Sequence, residues 1–224
     1  MKKLFVVLVI ILVIFAFGTF GILIFQRINN VSTQDISKVT TPLETSMPLI
    51  VTSTPGELID DWNHTYRVMA HALGGIDKYD YTNSLEAFYQ NYNAGTRLFE
   101  IDLDTTSDGD ICLIHTWEDF RNKLTDIGGD WPMSTEEFKQ TKIHGKYTTV
   151  MFKDLLELME EIPDFYIIVD SKTFDIEGSK NMYNRMMEEV NAINPELVKR
   201  IVPQAYTPEM YDFLFKNYDF EKII

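Results

Sequence analysis

Two hydrophobic patterns divide the chain. Residues 4–25 run LFVVLVIILVIFAFGTFGILIF, apolar on every face and without a charge. At ~1.5 Å per residue a helix of that length covers about 33 Å, the thickness of a bilayer's hydrocarbon core. A transmembrane helix is therefore predicted, within an anchor over residues 1–28. Beyond Arg67 the pattern changes, and short apolar runs alternate with amphipathic stretches. Strands are predicted over residues 67–71, 98–103, 111–115, 166–170 and 201–204, with the beginning of a sixth at 221–224. Helices are predicted over 83–94, 152–160, 180–193 and 208–216, the first capped by Thr82 or Asn83, and a short one follows Ser134 with a capping-box-like start. Strands alternating with helices point to parallel βαβ units and an α/β fold.

The segment between the two patterns, residues 29–57, is rich in Ser, Thr, Asn and Pro, including Thr41-Pro42, Met47-Pro48 and Thr54-Pro55-Gly56. It reads as a tether to a domain over residues 58–224. Lys2 and Lys3 precede the apolar run, which favours a cytoplasmic amino terminus, with the protein single-pass in the cell membrane and the domain outside. A cleaved signal peptide would have a shorter apolar region and a small-residue cleavage site, and Phe25-Gln26-Arg27-Ile28 offers none. The formal net charge is −14, and those two lysines are the only charges among the first 25 residues. So acidic a surface repels nucleic acid, and no nucleic-acid partner is expected. Cys112 is the only cysteine, which excludes an intrachain disulfide and a multi-cysteine zinc site.

Chemistry concentrates at predicted strand ends. In Arg97-Leu98-Phe99-Glu100-Ile101-Asp102-Leu103-Asp104, period-two geometry sets Glu100, Asp102 and Asp104 on one face and Phe99, Ile101 and Leu103 on the other. A parallel sheet is usually covered on both faces, so such a carboxylate row needs a compensating cation; a solvated face is the plainer alternative. Ile168, Asp170 and Lys172 repeat the theme at the carboxyl end of the fourth predicted strand, where parallel sheets place their sites. His71 and His115 close the flanking strands, and two proton carriers beside a carboxylate-bound metal suit hydrolysis at phosphorus. Structural histidines are the competing reading. His64 and His144 lie in polar contexts and read as surface residues.

Taken in order, Met69-Ala70-His71-Ala72-Leu73-Gly74-Gly75, Thr82-Asn83-Ser84-Leu85-Glu86-Ala87-Phe88, Phe99-Glu100-Ile101-Asp102-Leu103, Thr106-Ser107-Asp108-Gly109 and Leu113-Ile114-His115 resemble the front half of a glycerophosphodiester phosphodiesterase. Val169-Asp170-Ser171-Lys172 and Pro203-Gln204-Ala205-Tyr206 extend the likeness more loosely. The resemblance implies a TIM-type (β/α) barrel, a Ca²⁺ or Mg²⁺ ion, and cleavage of a small-molecule or lipid-derived phosphodiester to an alcohol and glycerol phosphate. Carried over, it makes Glu100, Asp102 and Asp170 metal ligands, His71 and His115 the catalytic acid/base pair, and Lys172 a substrate-binding residue near the phosphate. Asn83 takes the structural task of tying its loop to a helix start, and Asp104 receives no role.

The likeness has departures. Ala72 stands where the family has an arginine, Thr82 where it has glutamate, and Thr116 where it has an aspartate after the second histidine. About six strand units are counted where the resemblance calls for eight, so an incomplete barrel with open edges is expected, and residues 58–224 alone should be marginal and aggregation-prone. A phospholipase acting on a lipid headgroup, or a non-catalytic relic of the barrel, are the alternative functions.

Overall fold

A computed structural model of the chain describes Val51, residues 54–59 and residues 61–224, all within one unit, Leu49–Ile224. The predicted membrane helix and most of the tether lie outside the described residues. Among the described residues no helix is long and apolar enough to cross a membrane.

The short helix α1 (Trp62–Thr65) precedes a 3₁₀ turn, His71–Leu73, and helix α2 (Leu85–Asn93). Strand β1 (Leu98–Thr105) follows, then β2 (Ile111–Leu113) and a helical turn, α3 (Trp117–Asp119), that runs on as a π-turn over Phe120–Leu124. Helix α4 (Thr135–Gln140), the hairpin β3 (Lys142–Ile143) and β4 (Tyr147–Thr148), and helix α5 (Phe152–Glu161) come next. The chain ends through β5 (Tyr166–Asp170), α6 (Ile176–Ile193), a 3₁₀ stretch Pro195–Arg200, β6 (Ile201–Pro203) and α7 (Pro208–Asn217).

The main sheet has the order β2-β1-β5-β6. β1, β5 and β6 are parallel, with Glu100 opposite Ile168, Asp102 opposite Asp170 and Ile168 opposite Val202. β2 corrects the parallel expectation for residues 111–115, since it runs antiparallel to β1 with Leu103 opposite Leu113. The turn that joins them is too short for a crossover, and Gly109, at φ +88, supplies the left-handed backbone it needs. The expected first strand, residues 67–71, is reduced to one parallel bridge, Ala70 with Phe99. Val68 is 75% exposed, with no partner strand to bury it among the described residues. At the other side, Ile224 N donates to Pro203 O (3.0 Å) and Ala205 N to Ile224 O (2.7 Å), so residue 224 lies alongside β6 as a new strand would.

Alternation along the strands builds two apolar layers. Phe99, Ile101, Leu103, Ile167 and Val169 face the helices and belong to the main core, where Phe88 of α2 packs on Phe99 and Phe165 at ring distances of 4.9 Å. Leu98, Tyr166, Ile168 and Val202 face the other way and form a small second cluster with Trp62, whose ring lies 5.6 Å from that of Tyr166. Helix ends are fastened by their own side chains. Ser84 Oγ accepts from Ala87 N, so Ser84 is the α2 cap rather than Thr82 or Asn83, and Ser134 with Glu137 forms the expected capping box on α4.

Candidate active site

Above the small apolar cluster, on the same face of β1 and β5, stand Glu100, Asp102 and Asp170. Each offers an oxygen lying within 4.8 Å of the others, and Glu100 and Asp102 are buried. The period-two reading of β1 thus places both carboxylates as expected, and the parallel register with β5 brings Asp170 level with Asp102.

Several groups hold this cluster. Ala72 N donates to Glu100 Oε2 at 2.8 Å, an orientation set by the left-handed backbone at Ala72, φ 50. Asn83 donates from Nδ2 to Asp102 Oδ2 at 2.8 Å, and its Oδ1 accepts from Asp102 N at 3.3 Å. Its role therefore lies at the site rather than at the start of α2, while Asn83 N donates to Ala72 O and ties the two loops together. Lys172, also left-handed at φ 51, pairs with Asp102 Oδ1 at 2.7 Å and with Asp170, and Tyr206 OH donates to Asp170. Side chains at positive φ are costly, on the order of 1–3 kcal/mol each, and persist where surrounding contacts over-determine them.

The electrostatics follow from burial and crowding. Burial, then the neighbouring Asp102 charge, push the Glu100 carboxyl up from 4.5 to about 7. Burial would raise Asp170 too, but the hydrogen bonds from Lys172 and Tyr206 outweigh it and hold the carboxyl below its usual range. Burial works against the Lys172 ammonium, and Asp102 and Asp170 more than restore it, so its pKa is raised.

His71 lies beside this cluster, with Nε2 at 3.7 Å from Glu100 Oε2. It lines a cleft of about 560 Å³ together with His115, so the structure brings the two predicted histidines to one cavity. His115 Nδ1 lies 2.8 Å from Asp119 Oδ2. Tyr81 sets its ring edge-on to His71 at 4.7 Å. The far wall is a built turn. Ile76 and Tyr79 exchange backbone hydrogen bonds of 2.9 Å, and Asp77 is clamped by Lys146 at 2.9 Å and by Tyr147. Tyr79 stacks on His144 at 3.7 Å, which makes His144 a half-buried part of the cleft and corrects its reading as a surface residue. Burial lowers its pKa. His64 is exposed as expected, paired with Asp61. Asp104 is half-buried beside a separate cavity of about 310 Å³ that also touches Lys172 and Arg185, and burial raises its pKa.

Three carboxylates on one face of parallel strands, a group that could hold a cation, thus stand next to a cleft with two imidazoles. The model of the glycerophosphoryl diester phosphodiesterase family matches residues 74–222. The chain belongs to this family. Solved structures agree on the fold. A glycerophosphoryl diester phosphodiesterase from Parabacteroides distasonis is 19% identical with a TM-score of 0.51, over 70% of this chain and 53% of its own. A glycerophosphodiester phosphodiesterase from Agrobacterium tumefaciens is 16% identical with a TM-score of 0.51, over 70% and 65%. A phosphodiesterase from Oleispira antarctica, solved with the product sn-glycerol-3-phosphate, is 14% identical with a TM-score of 0.52, over 70% and 65%. The fold is accordingly α/β of the TIM-barrel type, and the chain spans less than two thirds of each of these structures. No curated protein sequence matches the chain.

Proposed function

We propose that this family member is a membrane-tethered hydrolase that cleaves a glycerol-linked phosphodiester to an alcohol and glycerol phosphate with the aid of Ca²⁺ or Mg²⁺. The observation that carries the reading is the convergence of Glu100, Asp102 and Asp170 within 4.8 Å, beside a cleft lined by both His71 and His115. The donor set fits a hard cation, since every ligand atom is a carboxylate oxygen. Lys172 offsets part of the negative charge of Asp102 and Asp170, and a cation there would offset the rest and favour the ionised form of Glu100. When bound, the ion supplies positive charge against the non-bridging phosphate oxygens.

The protein's own groups do the rest. Lys172 brings a fixed positive charge to the phosphate side of the cluster. One of His71 and His115 takes the proton of the glycerol 2-hydroxyl as that oxygen attacks phosphorus, and the other gives a proton to the departing alcohol. Water then opens the cyclic phosphate with the two roles exchanged. The product bound to the Oleispira antarctica phosphodiesterase, sn-glycerol-3-phosphate, is of the kind proposed here.

The test is product formation by the purified full chain from a soluble glycerophosphodiester and, separately, from intact phospholipid. Glycerol phosphate from the soluble diester is the expected result. Turnover of phospholipid alone would replace this reading with that of a phospholipase. Residues 4–25 support placing the chain in the cell membrane with its amino terminus in the cytoplasm and the domain outside. Protease added to intact cells should then release a domain-sized fragment, and a domain digested only after lysis would reverse the orientation.

A further inference from the structure

The two histidines of the cleft are held differently. His71 has Glu100 as its nearest carboxylate, at 3.7 Å, beyond hydrogen-bond reach. His115 Nδ1 is closed off from solvent and lies 2.8 Å from Asp119 Oδ2, within ion-pair distance, but makes no hydrogen bond of good geometry to any of the described residues. The approach is off the ideal N–H line, a geometry that hydrolase sites often straighten only when substrate binds. The Asp119 carboxylate is itself held, its second oxygen 2.7 Å from Lys123 Nζ. Its backbone is fixed as well, because Thr116 Oγ1 accepts from Asp119 N at 3.1 Å and caps the turn that carries Asp119 back beneath His115. The hydrogen bond from Lys123 keeps the Asp119 carboxyl below its usual range, so it is an acceptor at neutral pH.

We propose that Asp119 is the positioning residue of His115: it accepts the Nδ1 proton, and so fixes the tautomer that leaves Nε2 unprotonated on the side of the ring open to the cleft. The imidazole is partly exposed and lines the cleft while Nδ1 is sealed, so Nε2 is the nitrogen available to substrate. The partner of one ring nitrogen decides which state the other presents, and a carboxylate in that place also steadies the imidazolium that forms during turnover. The inference rests on the functional reading above. Exchange of Asp119 for asparagine preserves shape but offers an amide donor, which draws the proton to Nε2 and presents the wrong nitrogen.

The experiment compares the full chain with Asp119→Asn and Asp119→Glu, by ¹⁵N NMR of labelled histidine and by steady-state kinetics on a soluble glycerophosphodiester. The expected result is an Nδ1–H tautomer for His115 in the parent and Nε2–H in Asp119→Asn. With it, kcat should fall roughly 10- to 10³-fold while KM stays within about twofold. Asp119→Glu should regain the parent tautomer and part of kcat, which a merely structural role would not produce. An unchanged tautomer in Asp119→Asn, or an unchanged kcat, overturns the proposal. A parent chain without turnover on any glycerophosphodiester removes the functional reading instead, and the tautomer comparison then decides the Asp119–His115 pairing by itself.

Discussion

Along one face of β1 and β5 the character of the protein reverses within a few residues. Near the amino ends, Leu98 and Tyr166 are closed off by Trp62, over which Lys222 lies at 4.9 Å, and they pack with Ile168 and with Val202 of β6, the row that stands level with Glu100. Towards the carboxyl ends the same face turns to Glu100, Asp102 and Asp170. Strand geometry, register and sheet are shared, so only the side chains differ. The lower end stabilises the fold by excluding water. The upper end keeps charge together beside an open cleft, an arrangement that costs stability. In barrels of this kind that division between a stabilising face and a reactive face is the rule.

The largest expected effect lies at the upper end. His71→Ala and His115→Ala should each lower turnover by roughly 10²–10⁴ and leave the thermal midpoint near that of the parent, because both side chains sit at the cleft outside the apolar clusters. Near-normal turnover in either variant would make that histidine structural.

The opposite pattern is expected below. Trp62→Ala should cost about 3–5 kcal/mol of stability, read by denaturant unfolding, since the ring is 6% exposed and closes the small cluster. Residual activity at low temperature should remain. A stable variant that has lost turnover would mean that the two ends are not separable.

A smaller effect separates a buried carboxylate used for structure from those of the site. Glu189 on α6 has one sealed oxygen without a hydrogen-bond partner among the described residues, and burial, with some relief from Arg185, pushes its carboxyl from 4.5 to about 7. The folded state therefore holds a proton that the unfolded chain has released, so stability falls as pH rises between about 4.5 and 7. Glu189→Gln should flatten that slope by an amount below about 1 kcal/mol, given partial solvent screening. Thermal midpoints at pH 5 and pH 8 measure it, and equal slopes in parent and variant would remove Glu189 as a source.

Much of the carboxylate end was legible in the sequence because it depends on local periodicity. The strand at 166–170 shows as a short apolar run, and the alternation of Glu100 and Asp102 against Phe99 and Ile101 follows from period two. What was missed depends on contacts distant in sequence. The hairpin of β3 and β4 has two residues in each strand, too few for any periodic signal, yet it carries His144 to Tyr79 and Lys146 to Asp77. Asn83 reads from sequence as a helix-start residue, and its bonds to Asp102 exist only once β1 passes beneath it. Asp119 carried no motif, although its spacing of four residues from His115 after a capping Thr116 is a signal that could have found it. The antiparallel turn-back of β2 was readable from the short Thr106-Ser107-Asp108-Gly109 link, which no parallel crossover can span.

On the function proposed above, the carboxylates of the upper end bind a cation used in catalysis. The most direct test measures glycerophosphodiester hydrolysis by the parent and Asp102→Asn while free Ca²⁺ or Mg²⁺ is titrated from excess chelator upward. The expected result is no turnover in chelator, recovery as cation is added, and a titration curve displaced to higher cation concentration in Asp102→Asn, which loses a charged ligand without much change of shape. Undiminished turnover in excess chelator, or superimposable curves for the two chains, would contradict it.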